Sequence, residues 1–197
     1  MVILIHGRGQ DPRDLEGQIV ARVGLPDVAY VAPEAAERTW YPNGFMMPVE
    51  QNQPRLDFAL ARVAALADDL AARGMPYEEQ VIFGYSQGAC LASEYVFRRR
   101  QRVAALCAFT GGLTGPPGTP WEATDALFDG MPVLLGGASQ DPWVPAERML
   151  DTAAVFRRLG ARVDAPIYPS AAHEINDDQM GRARAILIEI LESRAAR

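Results

Sequence analysis

Val81-Ile82-Phe83-Gly84-Tyr85-Ser86-Gln87-Gly88-Ala89-Cys90-Leu91-Ala92 is the stretch on which the fold of this chain turns. An apolar, β-prone run, Val81–Phe83, enters a Gly-x-Ser-x-Gly pentapeptide, and a helix-forming stretch reaching Phe97 leaves it. Strand, tight turn and helix make up the context in which such a serine becomes a candidate nucleophile. Ser86 would occupy a cramped turn, where side chains at 84 and 88 would strike the neighbouring strand and helix. The bare pentapeptide should occur by chance in roughly one chain in twenty of this length. Its flanks therefore carry the weight. The competing reading is that Ser86 is only a small residue in a glycine turn.

A serine hydroxyl is a poor nucleophile at neutral pH and needs a base within hydrogen-bond reach. The chain has only two histidines, His6 and His173. His173 lies in Pro169-Ser170-Ala171-Ala172-His173-Glu174-Ile175, after the last β-prone run and before the last helical stretch. The histidine needs a carboxylate to fix its tautomer, and Asp141, in Gly136-Gly137-Ala138-Ser139-Gln140-Asp141-Pro142-Trp143, is the best placed. Asp125, Asp129 and Asp164 do not follow a strand in the right place, while Asp177 and Asp178 read as dipole partners at the start of the last helix. Ser86, Asp141 and His173 each fall just past a strand end, in the order nucleophile, acid, histidine. As alternatives, Asp141 would be a helix cap before Pro142 and His173 a surface histidine.

His6-Gly7-Arg8-Gly9 follows the first β-prone run. A tetrahedral oxyanion needs two fixed N–H donors, one from the residue after the nucleophile and one from a loop after an adjacent strand. The amides of Gln87 and Arg8 fit those places, with no part required of the Arg8 side chain. His6 reads as structural, fastening the loop. A phosphate-binding loop is the weaker reading, because no Gly-Lys-Ser/Thr and no full G-x-G-x-x-G follows. Trp40, Phe45, Met46, Met47, Leu113 and Trp143 are candidates for an apolar substrate pocket, and each could equally plug the core.

At 197 residues the chain has room for one domain with a sizeable core. A net charge of −6 argues against a nucleic-acid partner, and the basic run Arg98-Arg99-Arg100 reads as a charge cluster at a helix end. No segment approaches the roughly 18 apolar residues of a membrane span, and Met1–Ile5 lacks the features of a signal peptide. Cys90 and Cys107 sit in apolar sequence and read as reduced, buried thiols, which points to the cytoplasm. The triad chemistry calls for no metal and no cofactor.

Six β-prone runs, Val2–Ile5, Val28–Ala32, Val81–Tyr85, Ala104–Phe109, Val133–Gly137 and Val163–Tyr168, alternate with helical stretches. In Arg55–Arg73, Leu56, Leu60, Val63, Leu66 and Leu70 fall at helical spacing, with Asn52 as cap, Pro54 in the first turn and Gly74 as stop. Further helices are expected over Glu147–Leu159 and Asp177–Ser193. Near-continuous apolar strands alternating with helices imply an α/β domain with a parallel sheet covered on both faces. Gly111–Pro132, rich in glycine and proline, is either a functional loop or a short helix with irregular flanks.

His6-Gly7-Arg8-Gly9, Gly84-Tyr85-Ser86-Gln87-Gly88-Ala89, Asp141-Pro142-Trp143-Val144-Pro145 and His173-Glu174-Ile175 together resemble the carboxylesterase/phospholipase branch of the α/β-hydrolase superfamily, which includes acyl-protein thioesterases. The resemblance covers essentially the whole chain. It implies a sheet ordered second, first, third and outward to the sixth, with Arg8 and Ser86 side by side at the switch point. The strand before His6 begins at Val2, so a trimmed, six-stranded sheet is expected. Trp40-Tyr41-Pro42 resembles a subgroup of small bacterial esterases. The implied function is a serine hydrolase that cleaves small-molecule carboxylic esters, with thioesters as a second substrate type, through an acyl-enzyme. A homodimer is compatible with the sequence but not dictated by it. Two other readings use the same residues: a dienelactone-type hydrolase, which ordinarily has a cysteine nucleophile, and a ligand-binding sensor on a hydrolase scaffold.

Overall fold

Strands buried on both faces should present apolar residues at every position, and strands β1 (Val2–Ile5) and β4 (Ala105–Phe109) are buried throughout. The computed structural model describes residues 1–123 and 126–196. The remaining strands are β2 (Tyr30–Val31), β3 (Val81–Tyr85), β5 (Pro132–Ala138), β6 (Arg162–Asp164) and β7 (Ile167–Tyr168). All the pairings among them are parallel, in the order β2-β1-β3-β4-β5-β6, which is the order the family resemblance implied. The expected sixth strand, Val163–Tyr168, is broken in two. Pro166 has no N–H to donate to a ladder, so β6 stops before it and β7 resumes beyond it, also against β5. The second expected strand shrinks to Tyr30–Val31 at the sheet edge.

Side chains alternate between the two faces of a strand, and this sorts the core into two layers. Ile3, Ile5, Ile82, Leu106 and Leu135 point to one face. There they meet apolar residues of α2 (Arg55–Ala72), α3 (Gln87–Arg99) and α4 (Ala146–Arg158). Val2, Leu4, Phe83, Cys107 and Leu134 point to the other face, against α5 (Asp177–Ala195) and a helical segment near the N-terminus. That segment, a π turn Glu16–Val20 running into α1 (Ala21–Val23), was not expected from the sequence. Its signal was present, since Leu15, Ile19 and Val23 recur every fourth residue and all are buried.

Helix ends follow local chemistry. Gly74 adopts φ +88°, and the Met75 amide reaches back to the Leu70 carbonyl at 3.0 Å, which closes α2 in a Schellman motif. Asn52 does not cap α2 as expected. Its side chain accepts from the Asn43 amide at 2.8 Å and donates to the Gly44 carbonyl at 3.1 Å, tying down the loop that precedes the helix. Asn176 caps α5 in a reciprocal capping box with Gln179. The basic run ends α3: Arg98 pairs with Glu94, Arg99 with Asp68, and Arg100 donates to the Glu122 carbonyl.

Of the two readings of the 111–132 segment, the described residues take the loop before entering β5 at Pro132. Leu113 and Phe128 anchor it in the core, and Arg148 on α4 donates to the carbonyls of Leu113 and Gly115. Asp125, set aside as a triad candidate, lies outside the described residues. Asp164 pairs with Arg182 on the sheet edge.

Candidate active site

The turn between β3 and α3 leaves room only for glycine on either side of Ser86. A Cβ on Gly84 would lie 2.4 Å from the Gly88 carbonyl oxygen. One on Gly88 would lie 2.1 Å from the Ile5 oxygen, at the end of β1. Helix α3 can therefore begin directly against the sheet. Ser86 takes φ 53°, ψ −120°, a strained conformation for a residue with a side chain, and its amide is held by the Phe109 carbonyl at 2.9 Å. The strain lifts the hydroxyl clear of both strand and helix.

His173 comes to Ser86 from the loop before α5. Its Nε2 lies 2.8 Å from Ser86 Oγ, and its Nδ1 lies 2.7 Å from Asp141 Oδ2. A carboxylate only accepts, so Nδ1 carries the proton and Nε2 is left to accept from the serine. The Asp141 side chain is fully buried, and its other oxygen accepts from the amides of Trp143 at 2.8 Å and Val144 at 3.0 Å. Those bonds satisfy the carboxylate and fix its aim. Helix α4 starts only at Ala146 with Pro145 before it, so Asp141 is not its cap.

The two loops that deliver the acid and the base are bound to each other. The Ser139 amide donates to the Tyr168 carbonyl at 2.8 Å and the Gln140 amide to the Ser170 carbonyl at 2.9 Å, continuing the contact between β5 and β7. Tyr85 adds a bond that the sequence did not suggest: its hydroxyl donates to the His173 carbonyl at 2.7 Å. Burial, together with the charges of Asp141 and Glu174, raises the phenol above its usual range, which keeps it a donor. The only sequence signal for this role is that Tyr85 precedes the nucleophile at a strand end.

His6 is fully buried and structural. Its Nδ1 bonds the Gly7 carbonyl at 2.8 Å, its Nε2 accepts from the Ala35 amide at 3.1 Å, and its ring leans on Trp40. In the following loop Gly7 gives its amide to the Gln10 side chain, Gly9 to the Arg38 carbonyl and Gln10 to the Gly7 carbonyl. Among the described residues the Arg8 amide has no such acceptor. Gln87 opens α3, so its amide belongs to the first turn, which lacks intrahelical acceptors.

A cleft of ≈ 470 Å³ opens over Ser86 and His173, walled by Tyr41, Pro42, Phe45, Cys90, Trp143 and Val144, with Arg8 and Gln87 at its side. Of the six residues proposed from sequence for an apolar pocket, Phe45 and Trp143 line it. Trp40 and Leu113 do not; both are buried in the core, and the indole of Trp40 donates to the His6 carbonyl. Met46 and Met47 follow Phe45 without lining the cleft; Met47 is exposed. Their place is taken by Pro42, in the loop singled out from the sequence, while Tyr41 borders the cleft from the buried core.

Cys90 also faces the cleft, one helical turn after Ser86. Burial pushes its thiol up to about 12, so it stays neutral and unreactive at physiological pH. The nucleophile of this site is a serine.

A buried acid, a base of fixed tautomer and a strained serine hydroxyl in one hydrogen-bonded line form a hydrolase triad. The family model for phospholipases and carboxylesterases matches residues 1–190. The chain belongs to the phospholipase/carboxylesterase family. A phospholipase/carboxylesterase from Dyadobacter fermentans is 34% identical over 94% of this chain and 88% of its own, with a TM-score of 0.85. The carboxylesterase of Mesorhizobium loti is 24% identical, covering 95% of this chain and 87% of its own at a TM-score of 0.73. That of Bacillus cereus is 15% identical, covering 96% and 88% at 0.75. The last two likenesses speak to the fold alone. As a member of this family with an assembled triad, the chain is a carboxylic ester hydrolase.

Proposed function

We propose that this serine esterase cleaves small-molecule carboxylic esters by acyl transfer, with thioesters as a second substrate type. The observation that carries the reading is the unbroken line from Ser86 Oγ through His173 to Asp141, at 2.8 and 2.7 Å, beneath an open cleft.

Ser86 Oγ attacks the acyl carbonyl while its proton passes to His173 Nε2. The carbonyl π electrons move onto oxygen, and the amides of Arg8 and Gln87 receive the resulting oxyanion. Supporting this assignment, Arg8 and Gln87 line the cleft with Ser86, and neither amide has an acceptor among the described residues. Each such donor is typically worth about 3 kcal/mol in the transition state. Collapse breaks the bond to the leaving alcohol, which takes the proton from His173. Water then repeats the sequence on the acyl-enzyme, releasing the acid and restoring Ser86. Asp141 holds His173 and stabilises the imidazolium at both stages.

Phe45, Pro42 and Trp143 supply the apolar surface for the substrate, and the cleft volume suits a ligand of modest size. We also place the protein in the cytoplasm, a reading supported by its two free, buried cysteines and tested by cell fractionation.

The decisive experiment is labelling with a fluorophosphonate followed by peptide mapping, alongside turnover of short-chain nitrophenyl esters. The label is expected on Ser86, and Ser86→Ala should abolish both labelling and turnover while remaining folded. Full turnover in that variant would reject the mechanism. A wild-type protein that binds esters without acylation would restore the sensor reading.

A further inference from the structure

The Arg8 side chain does something its backbone role does not require. Its guanidinium lies along the side of the cleft and donates to three consecutive carbonyls: Nη2 to Tyr41 at 3.0 Å, Nη1 to Pro42 at 2.9 Å and Nη2 to Asn43 at 2.9 Å. These carbonyls belong to the wall of the cleft, in a stretch without helix or strand to hold it. Gln87 grips the same stretch from within. Its Oε1 accepts from the Trp40 amide at 3.0 Å and the Thr39 hydroxyl at 3.3 Å, and its Nε2 donates to the Tyr41 carbonyl at 2.8 Å. The Gly9 amide adds a bond to the Arg38 carbonyl at 2.7 Å.

Arg8 and Gln87, which line the cleft with Ser86, therefore spend their side chains on one short segment. We propose that Arg8 is a positioning residue: its guanidinium locks the 41–43 wall to the loop that carries its own amide, and the Gln87 carboxamide does the same from the opposite flank. Wall and oxyanion hole then move as one body. This rests on the reading of Ser86 as the acylated nucleophile.

Chemistry favours arginine for the task. A planar fork can serve several carbonyls at once, and each bond is charge-assisted; a lysine ammonium on a flexible stem cannot reproduce that geometry. Displacement of a catalytic group by an ångström is enough to cost two orders of magnitude in rate, so a slack wall would be felt at the amide beside it. Arg8 is exposed, and its replacement leaves the core untouched.

Arg8→Ala and Arg8→Lys both keep the backbone amide and isolate the side chain. We expect either change to lower kcat for nitrophenyl acetate by roughly 10- to 100-fold, with a smaller effect on KM. The melting temperature should shift by only a few degrees. Amide exchange should accelerate across residues 39–44 and stay unchanged across 111–115. Guanidinium ion at low millimolar concentration should recover part of the rate in Arg8→Ala. Turnover equal to wild type would overturn the proposal, as would full activity in Arg8→Lys or a rate loss without faster exchange at 39–44. The exchange readout decides the clamp even if fluorophosphonate fails to label wild-type Ser86, an outcome that would instead reject the catalytic reading.

Discussion

The hydroxyl of Tyr85 donates to the backbone carbonyl of His173 at 2.7 Å, so the strand that presents the nucleophile also steadies the base. The two residues are separated by 88 positions in the chain. Removing the hydroxyl should loosen the His173 loop without emptying the site. Tyr85→Phe is expected to reduce kcat about fivefold, the scale of one hydrogen bond near 1 kcal/mol, with KM nearly unchanged. Steady-state kinetics on a nitrophenyl ester would test it, and an unchanged kcat would show that the bond is idle.

Asp141→Asn offers a sharper test of the triad. The Asn oxygen can still accept from the Trp143 and Val144 amides, so the local turn should survive. The new NH₂ group would face His173 Nδ1 and force the proton onto Nε2, where it blocks acceptance from Ser86. A loss of kcat of about 10⁴-fold is expected, with stability changed by about 1 kcal/mol or less. A loss of only a few fold would remove Asp141 from the mechanism.

Gly88→Ala should fail for a steric reason. The added Cβ would stand 2.1 Å from the Ile5 oxygen and 2.5 Å from the His6 oxygen, both backbone atoms that cannot step aside. Destabilisation of roughly 3–5 kcal/mol is expected, read from urea unfolding. Gly181→Ala is the matched control, since its Cβ would meet nothing within 4 Å in helix α5. That change should be neutral or stabilising by up to about 1 kcal/mol. Equal effects at the two sites would refute the packing account.

Alkaline conditions should expose the buried thiols. Burial raises Cys90 to about 12 and pushes Cys107 up as well, whereas unfolded thiols titrate near 8.5. The native state therefore holds these protons after the unfolded state has released them. Stability from this source is fully present below about pH 8.5 and is lost as pH rises toward the folded value. The urea midpoint should fall between about pH 9 and 11, and Cys107→Ala should fall less steeply than wild type. Parallel slopes would show that other groups govern the alkaline limb.

The sequence was most legible where geometry leaves one residue type. Gly84 and Gly88 announced the turn because nothing larger fits, and the scarcity of histidines pointed to His173. Strand order came from family resemblance, as no local pattern dictates which strands become neighbours. The cleft wall was harder to read. Trp40 and Tyr41 are adjacent aromatics, and only the fold decides that both are buried in the core while Pro42 and Phe45 beyond them line the cleft. Leu113 poses the same difficulty: an apolar residue in a loop looks alike whether it lines a pocket or anchors the loop beneath it. Asn52 illustrates competition between local and distant partners, because its side chain satisfies the 43–44 backbone instead of the helix it precedes.

The break at Pro166 has a consequence for how this enzyme can vary. Because β7 takes up the pairing with β5 beyond the break, the backbone at 137–140 is fastened to that at 166–170 whatever lies between. Helix α4 and strand β6 form an excursion that leaves this junction and returns to it. Its outer surface is open to change while Asp141 and His173 keep their spacing. A graft into the exposed part of that excursion would hang new contacts on the molecule without retuning its chemistry. A single residue inserted between Ile167 and Ser170 would do the reverse, keeping the fold and pulling the base out of line.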